Sequence, residues 1–163
     1  WWSEGLTLEN LVFVIGCLLV MNVFVTMLGI HYGMTYANSR TAIGVSLGTV
    51  FFLFLGVVAC MMLMISFSSS FQVQLAPFLA FIVGGGIGLY ASLGARNPSP
   101  AIGLASLVVP FATFYAIVSF LLDKPGFVFL VTVSVYSFTT AAMMIPALYE
   151  FDVAMGRTTG ENE

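Results

Sequence analysis

Residues 11–30 read LVFVIGCLLVMNVFVTMLGI, twenty positions without a charged side chain. The uncharged stretch is longer still, because the 30 residues between Glu9 and Arg40 contain no Asp, Glu, Lys or Arg. An α-helix rises 1.5 Å per residue, so about 20 such residues cross a hydrocarbon core roughly 30 Å thick. No alternation of period two persists, which disfavours the strands of a membrane barrel. The stretch therefore predicts a membrane-spanning helix.

Three further gaps between charges divide the rest of the chain. Residues 41–95, 97–122 and 125–149 carry no charge, and the first of these gaps is interrupted by the polar run at residues 66–74. The sequence predicts an all-α, polytopic membrane protein with one transmembrane domain over residues 1–163. The five predicted spans and the polar tail are 11–30, 42–65, 75–93, 101–122, 127–149 and 150–163.

The composition excludes several classes of protein. Of 163 residues, 60% are apolar and 7% are charged, whereas a soluble domain averages about 45–50% and about 25%. A soluble fold would lack charge for its surface, and a disordered chain would lack apolar residues. Four basic side chains are too few to neutralise a phosphate backbone, so we expect no nucleic acid as a partner. The expected partner is the lipid bilayer.

The signs of the charges predict an orientation. Five spans put the two ends of the chain on opposite sides of the membrane. Arg40, Arg96 and Arg157 then share one face, and Lys124 lies on the other beside Asp123. Because basic residues concentrate in cytoplasmic loops, we predict that the N-terminus lies outside and the C-terminus lies in the cytoplasm.

The first residues of the chain suggest a fragment. It begins with Trp1 and Trp2 rather than with Met, and no basic segment precedes the first span, so a signal peptide is not indicated. We interpret the chain as a piece of a longer polypeptide in which an upstream span leads to the outer face. Processing of the N-terminus is the alternative.

Three pairs of glycines are four residues apart in the predicted spans. This spacing places small residues one helical turn apart and lets two helix backbones approach closely. The alternative is that glycine is simply common in membrane helices. We predict helix packing at Gly29, Gly33, Gly44, Gly48, Gly84 and Gly88.

A shift of 59 residues aligns two segments of the chain. It superimposes Gly29 on Gly88 and Asn38 on Asn97, and it aligns residues 42–44 with residues 101–103, which both read AIG. The pattern indicates two similar helical hairpins whose turns lie on the same membrane face, although glycine and alanine are abundant enough to produce it by chance.

No combination of side chains indicates catalysis or metal binding. His31 is the single histidine, and Cys17 and Cys60 lie deep in separate apolar spans. The acidic residues Glu150 and Asp152 stand at a predicted membrane edge, where a solvated helix end is the simpler interpretation. No nucleotide-binding loop and no hydrolase triad is present. We expect no enzyme activity, catalytic residue, metal or cofactor.

Polar uncharged residues follow one face of the fifth predicted span. Thr132, Tyr136 and Thr140 are four residues apart, which places them on one side of a helix. They could line a polar seam, or they could bond to neighbouring helices and to backbone carbonyls, and we favour the second interpretation.

Several segments resemble a transporter family. Residues 28–34 read LGIHYGM and residues 39–43 read SRTAI, which resembles a connection in ABC-2 type permeases, the membrane subunits of bacterial ATP-binding-cassette exporters. Residues 79–86, 95–99 and 149–159 read LAFIVGGG, ARNPS and YEFDVAMGRTT. They are similar to the C-terminal part of long permease-like proteins from planctomycete-type bacteria.

The resemblance implies a function and a partner. It implies a multi-pass permease of the bacterial inner membrane, powered by a separate ATPase subunit and assembled as a homo- or hetero-oligomer. It also implies docking of the ATPase on residues 34–41 and 95–100, with Asn38, Arg40, Arg96 and Asn97 as contact candidates. The alternative is a non-transporting scaffold subunit of a larger membrane complex, and an intramembrane enzyme is a distant third.

Overall fold

A computed structural model of the chain describes residues 8–66 and 71–154. The predictions about Trp1, Trp2, Arg157 and most of the polar tail lie outside these residues. The described residues form helices and contain no strand. We number the five helices as follows: α1 Leu8–Thr35, α2 Ser39–Ser66, α3 Phe71–Leu93, α4 Pro100–Leu121 and α5 Pro125–Ala154.

The five helices confirm the predicted fold class. In the described part of the chain each has a segment long and apolar enough to cross a membrane, which makes this a multi-pass arrangement. The helices extend a few residues beyond most predicted spans, since backbone hydrogen bonds continue after the apolar run ends. The clearest difference is α5, which continues to Ala154, although we predicted a polar tail from residue 150. Residues 147–154 contain no glycine or proline to stop it.

Local chemistry explains where the helices begin. The Asn38 side chain accepts a hydrogen bond from the Arg40 amide at the start of α2. Ser99 accepts one from the Ile102 amide at the start of α4, and Pro100 occupies the first position of that helix. Both are standard N-terminal caps that satisfy amides left without helical partners. Between α4 and α5, Asp123 adopts a left-handed backbone conformation with φ of 56°, which reverses the chain within a few residues.

The helices surround a common core in a closed order. Helix α1 packs against α2 and α5, α4 packs against α5 and α3, and α3 packs against the C-terminal part of α2. The largest fully buried side chains come from α1, α2, α4 and α5 and include Phe24, Tyr32, Leu53, Ile102 and Met143. Helix α4 is the most buried of the five. In its most apolar stretch of 18 residues, 44% are buried, against 11–28% in the corresponding stretches of the other helices.

The second helix contains a one-turn widening. Residues Phe52–Gly56 form a π-helical segment, in which one extra residue per turn displaces the side chains. The displacement places the Phe52 ring on Gly85 of α3, where an added Cβ would overlap it. The Phe81 ring lies reciprocally over Gly56, and the two rings stack with centroids 4.9 Å apart. Two glycines thus accommodate an aromatic pair between α2 and α3.

The surface and the interior have the polarity that a membrane requires. Large apolar side chains such as Leu19, Ile65 and Ile145 are exposed around the bundle. Buried hydroxyls satisfy themselves within their own helix, as Ser106 does by donating to the Ile102 carbonyl at 2.7 Å. Among the described residues, no buried side-chain nitrogen or oxygen is left without a partner. Lipid offers no replacement for such bonds, so the fold suits a bilayer.

The two aligned segments of the chain occupy different environments. Ile43 is 60% exposed, whereas Ile102, its equivalent 59 residues later, is fully buried. The two hairpins therefore present corresponding side chains to different surroundings.

Gly86 provides a test of how closely α3 and α4 approach. A Cβ at Gly86 would lie 3.4 Å from the Ser106 carbonyl oxygen, a backbone atom that cannot move aside alone. We expect Gly86→Val to force the helices apart and to cost about 1–3 kcal/mol of stability in micelles. The matched change Gly84→Val, two residues away, meets no atom within 4 Å of the new Cβ and should be close to neutral. Unfolding in mixed detergent micelles measures the stability of both variants. Equal losses of stability would contradict the close packing of α3 against α4 at Gly86.

Candidate functional site

Two turns meet at one end of the bundle. One connects α1 to α2 and the other connects α3 to α4. The Arg96 Nη1 group donates to the Met34 carbonyl at 2.6 Å, and the His31 Nε2–H donates to the Leu93 carbonyl at 2.8 Å. Both carbonyls belong to the last turn of a helix, where they lack a partner within it. We call these two turns with the helix ends beside them, residues 34–40 and 94–99, the paired-turn face.

A hydroxyl cluster lies just inside this face. The Tyr32 side chain is fully buried, and its hydroxyl lies 3.1 Å from the Thr49 Oγ1 and 2.9 Å from the Ser92 Oγ. Thr49 also donates to the Val45 carbonyl, so it is anchored to its own helix. One tyrosine therefore joins α1, α2 and α3. A bonded polar group of this kind holds helices in register where lipid gives no alternative partner.

A groove opens from the hydroxyl cluster between α2 and α3. It encloses about 490 Å³, and Thr49 and Ser92 contribute hydroxyls to its wall. The rest of its wall is apolar or glycine, including Gly48, Gly84 and Phe52 of the π-helical segment. Such segments are frequent at functional sites of helical proteins. We treat the groove with its hydroxyl cluster as the candidate functional site.

The four predicted docking residues all lie at the paired-turn face. Asn38 uses its side chain to cap α2, and Arg40 is exposed in the first turn of that helix. Arg96 is exposed but bonded to the Met34 carbonyl, and Asn97 is half-buried in the same turn. The structure brings the two turns together. Contact of these residues with a partner stays a prediction.

The three residues of the predicted seam bond within the bundle. Thr113 donates to the Val109 carbonyl, so the Tyr136 hydroxyl donates to the Thr113 Oγ1 at 2.6 Å. Thr132 is buried and faces the Cys17 thiol of α1. Thr140 donates to the Tyr136 carbonyl of its own helix at 2.7 Å. These contacts join α5 to α4 and to α1 and line no cavity described above.

The six predicted packing glycines do not make close contacts inside the bundle. A Cβ added to any of them meets no atom within 4 Å outside its own helix: Gly29, Gly33, Gly44, Gly48, Gly84 and Gly88. Other glycines take that role, notably Gly85 under the Phe52 ring and Gly16 under the Phe129 ring. The four-residue spacing identified small residues but could not identify the packed face. Packing of the six against another chain stays a prediction.

Sequence reasoning overlooked the hydroxyl cluster. Patterns along the chain assign no role to His31 and do not single out Tyr32, Thr49 or Ser92. The sequence does contain one indication of the cluster: these three polar side chains lie toward the same end of three apolar helices. Pairing them requires the order of helices around the bundle, which spacing along the chain does not contain.

The side chains of the groove offer hydrogen bonding and apolar contact. Within residues 8–66 and 71–154, no three His, Cys, Asp or Glu side chains come together as a metal site. Cys17 and Cys60 are free thiols. The groove offers hydroxyls, glycine backbone and aromatic rings, which bind a ligand by shape and by a few hydrogen bonds.

Removing the Tyr32 hydroxyl tests its role in holding three helices together. We expect Tyr32→Phe to lower stability by about 1 kcal/mol, because Thr49 and Ser92 lose a buried partner. The control is Tyr90→Phe on α3, whose side chain is exposed and lies two residues before Ser92. Thermal unfolding in detergent compares the two variants, and a Tyr90→Phe loss as large as that of Tyr32→Phe would argue against the cluster.

Comparison of the chain with family models, with curated proteins and with solved structures finds no match.

Proposed function

We propose that the chain forms part of the membrane permease of an ATP-binding-cassette export system, powered by a separate ATPase subunit. The observation that supports this most directly is the paired-turn face. Two turns that are about 60 residues apart in sequence are joined by the Arg96–Met34 and His31–Leu93 hydrogen bonds. A partner that pushes on either turn therefore moves both.

The paired-turn face suits a protein partner of opposite charge. Arg40 and Arg96 are exposed there, and Asp152 near the end of α5 is half-buried at the same end of the bundle. Among the described residues, the charges at the far end are Glu9, Asp123 and Lys124. Arginine pairs with carboxylates through two parallel hydrogen bonds, which favours a defined docking geometry. Exposed charges at an interface mainly accelerate and orient association. In this proposal the ATPase supplies acidic side chains.

Side-chain contacts connect the turns to the groove, so that movement of the turns would be transmitted to it. Met34 and His31 lie on the same helix as Tyr32, and Tyr32 contacts the two hydroxyls of the groove wall. In this proposal a displacement of the turns moves α1 with Tyr32 and so changes the separation of α2 and α3, whose hydroxyls Tyr32 bridges. ATP binding and hydrolysis on the partner would drive this rigid-body rocking. Cargo would contact Thr49 and Ser92.

A second candidate function is a structural subunit of a larger membrane complex. The observation in its favour is the open space beside Gly29, Gly33 and the other four-residue-spaced glycines. Small residues on an outer face let helices of another subunit approach closely. In that case the paired-turn face would stabilise the fold and would bind no ATPase.

The proposed orientation places the paired-turn face in the cytoplasm of a bacterial inner membrane. In a variant lacking Cys17 and Cys60, a cysteine at the exposed position Ala95 should react with an impermeant maleimide only after the cells are opened. A cysteine at Lys124, at the other end of the bundle, should react in intact cells. The reverse labelling pattern would show that the topology is inverted and that the paired-turn face does not lie in the cytoplasm.

Co-purification tests the ATPase partner. We expect the tagged chain to recover a protein with a Gly-x-x-x-x-Gly-Lys-Ser/Thr loop, identified by peptide sequencing, and the complex to hydrolyse ATP. Arg40→Glu should reduce recovery of the ATPase at least fivefold, because it reverses an exposed charge. The helix cap should persist in this variant, since Asn38 accepts its hydrogen bond from the backbone amide of residue 40.

Lys124→Glu is the matched control at the opposite end and should leave recovery unchanged. If no ATPase is recovered, or if both charge reversals act equally, the permease proposal fails and the structural subunit is favoured.

A further inference from the structure

A second cavity lies at the end of the bundle opposite the paired-turn face. It encloses about 830 Å³ between the N-terminal half of α1, the end of α4 and the start of α5. Cavities that hold small ligands measure about 300–1,000 Å³. Its α1 wall extends from Asn10 to Val25, which is about 22 Å at 1.5 Å per residue. Half of the hydrocarbon core is about 15 Å, so the cavity is long enough to cross one leaflet.

We call the part of this cavity that runs along α1 from Leu11 to Val25 the shaft, and its wall is mostly apolar. Leu11, Val14 and Leu18 of α1 are exposed along it. The uncharged polar side chains of the cavity wall are Asn10, Cys17 and Asn22. Asn10 lies in the first turn of α1, the Asn22 Nδ2 donates to the Leu18 carbonyl at 2.7 Å, and the Cys17 thiol faces Thr132. The shaft therefore suits a hydrocarbon chain.

Stacked rings close one side of the shaft. Phe13 of α1 and Phe129 of α5 stack with centroids 4.9 Å apart. Phe129 can lie against α1 because position 16 is glycine, where an added Cβ would come within 2.7 Å of the ring. The rings join the two helices at this level. An occupant thus lies in a bounded groove rather than between loose helices.

The mouth of the cavity carries both signs of charge. Asp123 and Lys124 line it and are exposed. Their turn is well defined, since the Lys124 amide donates to the Ser119 carbonyl at 2.9 Å and the Asp123 amide donates to the Phe120 carbonyl at 3.1 Å. A carboxylate and an ammonium on adjacent residues of this turn complement a headgroup that itself carries a cation and an anion.

We propose that this cavity binds one phospholipid with a phosphate and a primary amine in its headgroup, of the phosphatidylethanolamine class. One acyl chain occupies the shaft along α1. The Lys124 ammonium pairs with the phosphate, and the Asp123 carboxylate accepts hydrogen bonds from the lipid ammonium. This site is independent of the proposed ATPase partner.

The mouth discriminates among lipid classes. An anionic lipid such as phosphatidylglycerol satisfies Lys124 but offers the Asp123 carboxylate only neutral hydroxyls and no cation. Phosphatidylcholine has a cation without N–H groups, so it cannot donate to Asp123. The lipid with a primary amine satisfies both side chains.

Native mass spectrometry of the delipidated full chain tests headgroup selectivity. With equal acyl chains, we expect the single-lipid adduct to favour phosphatidylethanolamine about fivefold over phosphatidylglycerol and phosphatidylcholine, the size of an exposed ion-pair contribution. Asp123→Asn keeps a residue that tolerates the left-handed conformation and should reduce the preference over phosphatidylglycerol to less than twofold.

Equal binding of the three lipids, stronger binding of phosphatidylglycerol, or an unchanged preference in Asp123→Asn would overturn the proposal.

A matched pair of variants tests the shaft. Val14→Trp fills it and should reduce the phosphatidylethanolamine adduct about tenfold, because the acyl chain loses buried apolar contact. Val12→Trp makes the same change two residues away, at an exposed position outside the cavity wall, and should change the adduct less than twofold. Thermal unfolding confirms that both variants are folded. Equal reductions would show that the lipid does not occupy the shaft.

Discussion

The hydrocarbon core of a membrane supplies no hydrogen-bond partner, and the described structure satisfies its polar groups internally. Helices satisfy their backbones, and buried hydroxyls such as Ser106 and Thr113 return a hydrogen bond to their own helix. The helix ends are harder to satisfy, because the last carbonyls have no partner within the helix. At one end of the bundle, His31 and Arg96 each donate a hydrogen bond to such a carbonyl of the other hairpin. The same constraint that selects helices thus also joins the two turns.

The two ends of the bundle are consequently different. At the paired-turn face, polar bonds connect α1 with α3, and the Tyr32 hydroxyl extends the connection to α2. At the opposite end, α1 and α5 meet through the stacked rings of Phe13 and Phe129, and a large apolar cavity remains beside them. One end is joined by hydrogen bonds between helices, and the other has room for a ligand. A permease with a lipid bound at its far end would use both properties.

Much of the fold followed from the positions of charged residues. The four uncharged gaps between Glu9, Arg40, Arg96, Asp123 and Glu150 contain the apolar stretches of the five helices, because a charge is costly in hydrocarbon, and the polar run at residues 66–74 divides the longest gap into two. The turns could also be anticipated, since Asn38, Ser99 and Pro100 are common at helix starts. Less of the candidate site could be anticipated. The end of the bundle was inferred from the arginines, but the hydroxyl cluster and the groove were not, because their residues are far apart in sequence.

The sequence by itself determined the class of protein, the number of helices and the apolar surface between the two charged ends, since these depend on composition and on the length of uncharged runs. Tertiary structure alone decided which faces of the helices pack. Glycine spacing selected Gly84 and Gly88, yet the α2–α3 contact uses Gly85, because the π-helical segment directs the Phe52 ring to that position. Tyr32 likewise acquires its role only when α2 and α3 bring Thr49 and Ser92 to its hydroxyl. The physical reason is that lipid-facing and helix-facing positions are equally apolar in a membrane protein, so polarity along the chain does not separate them.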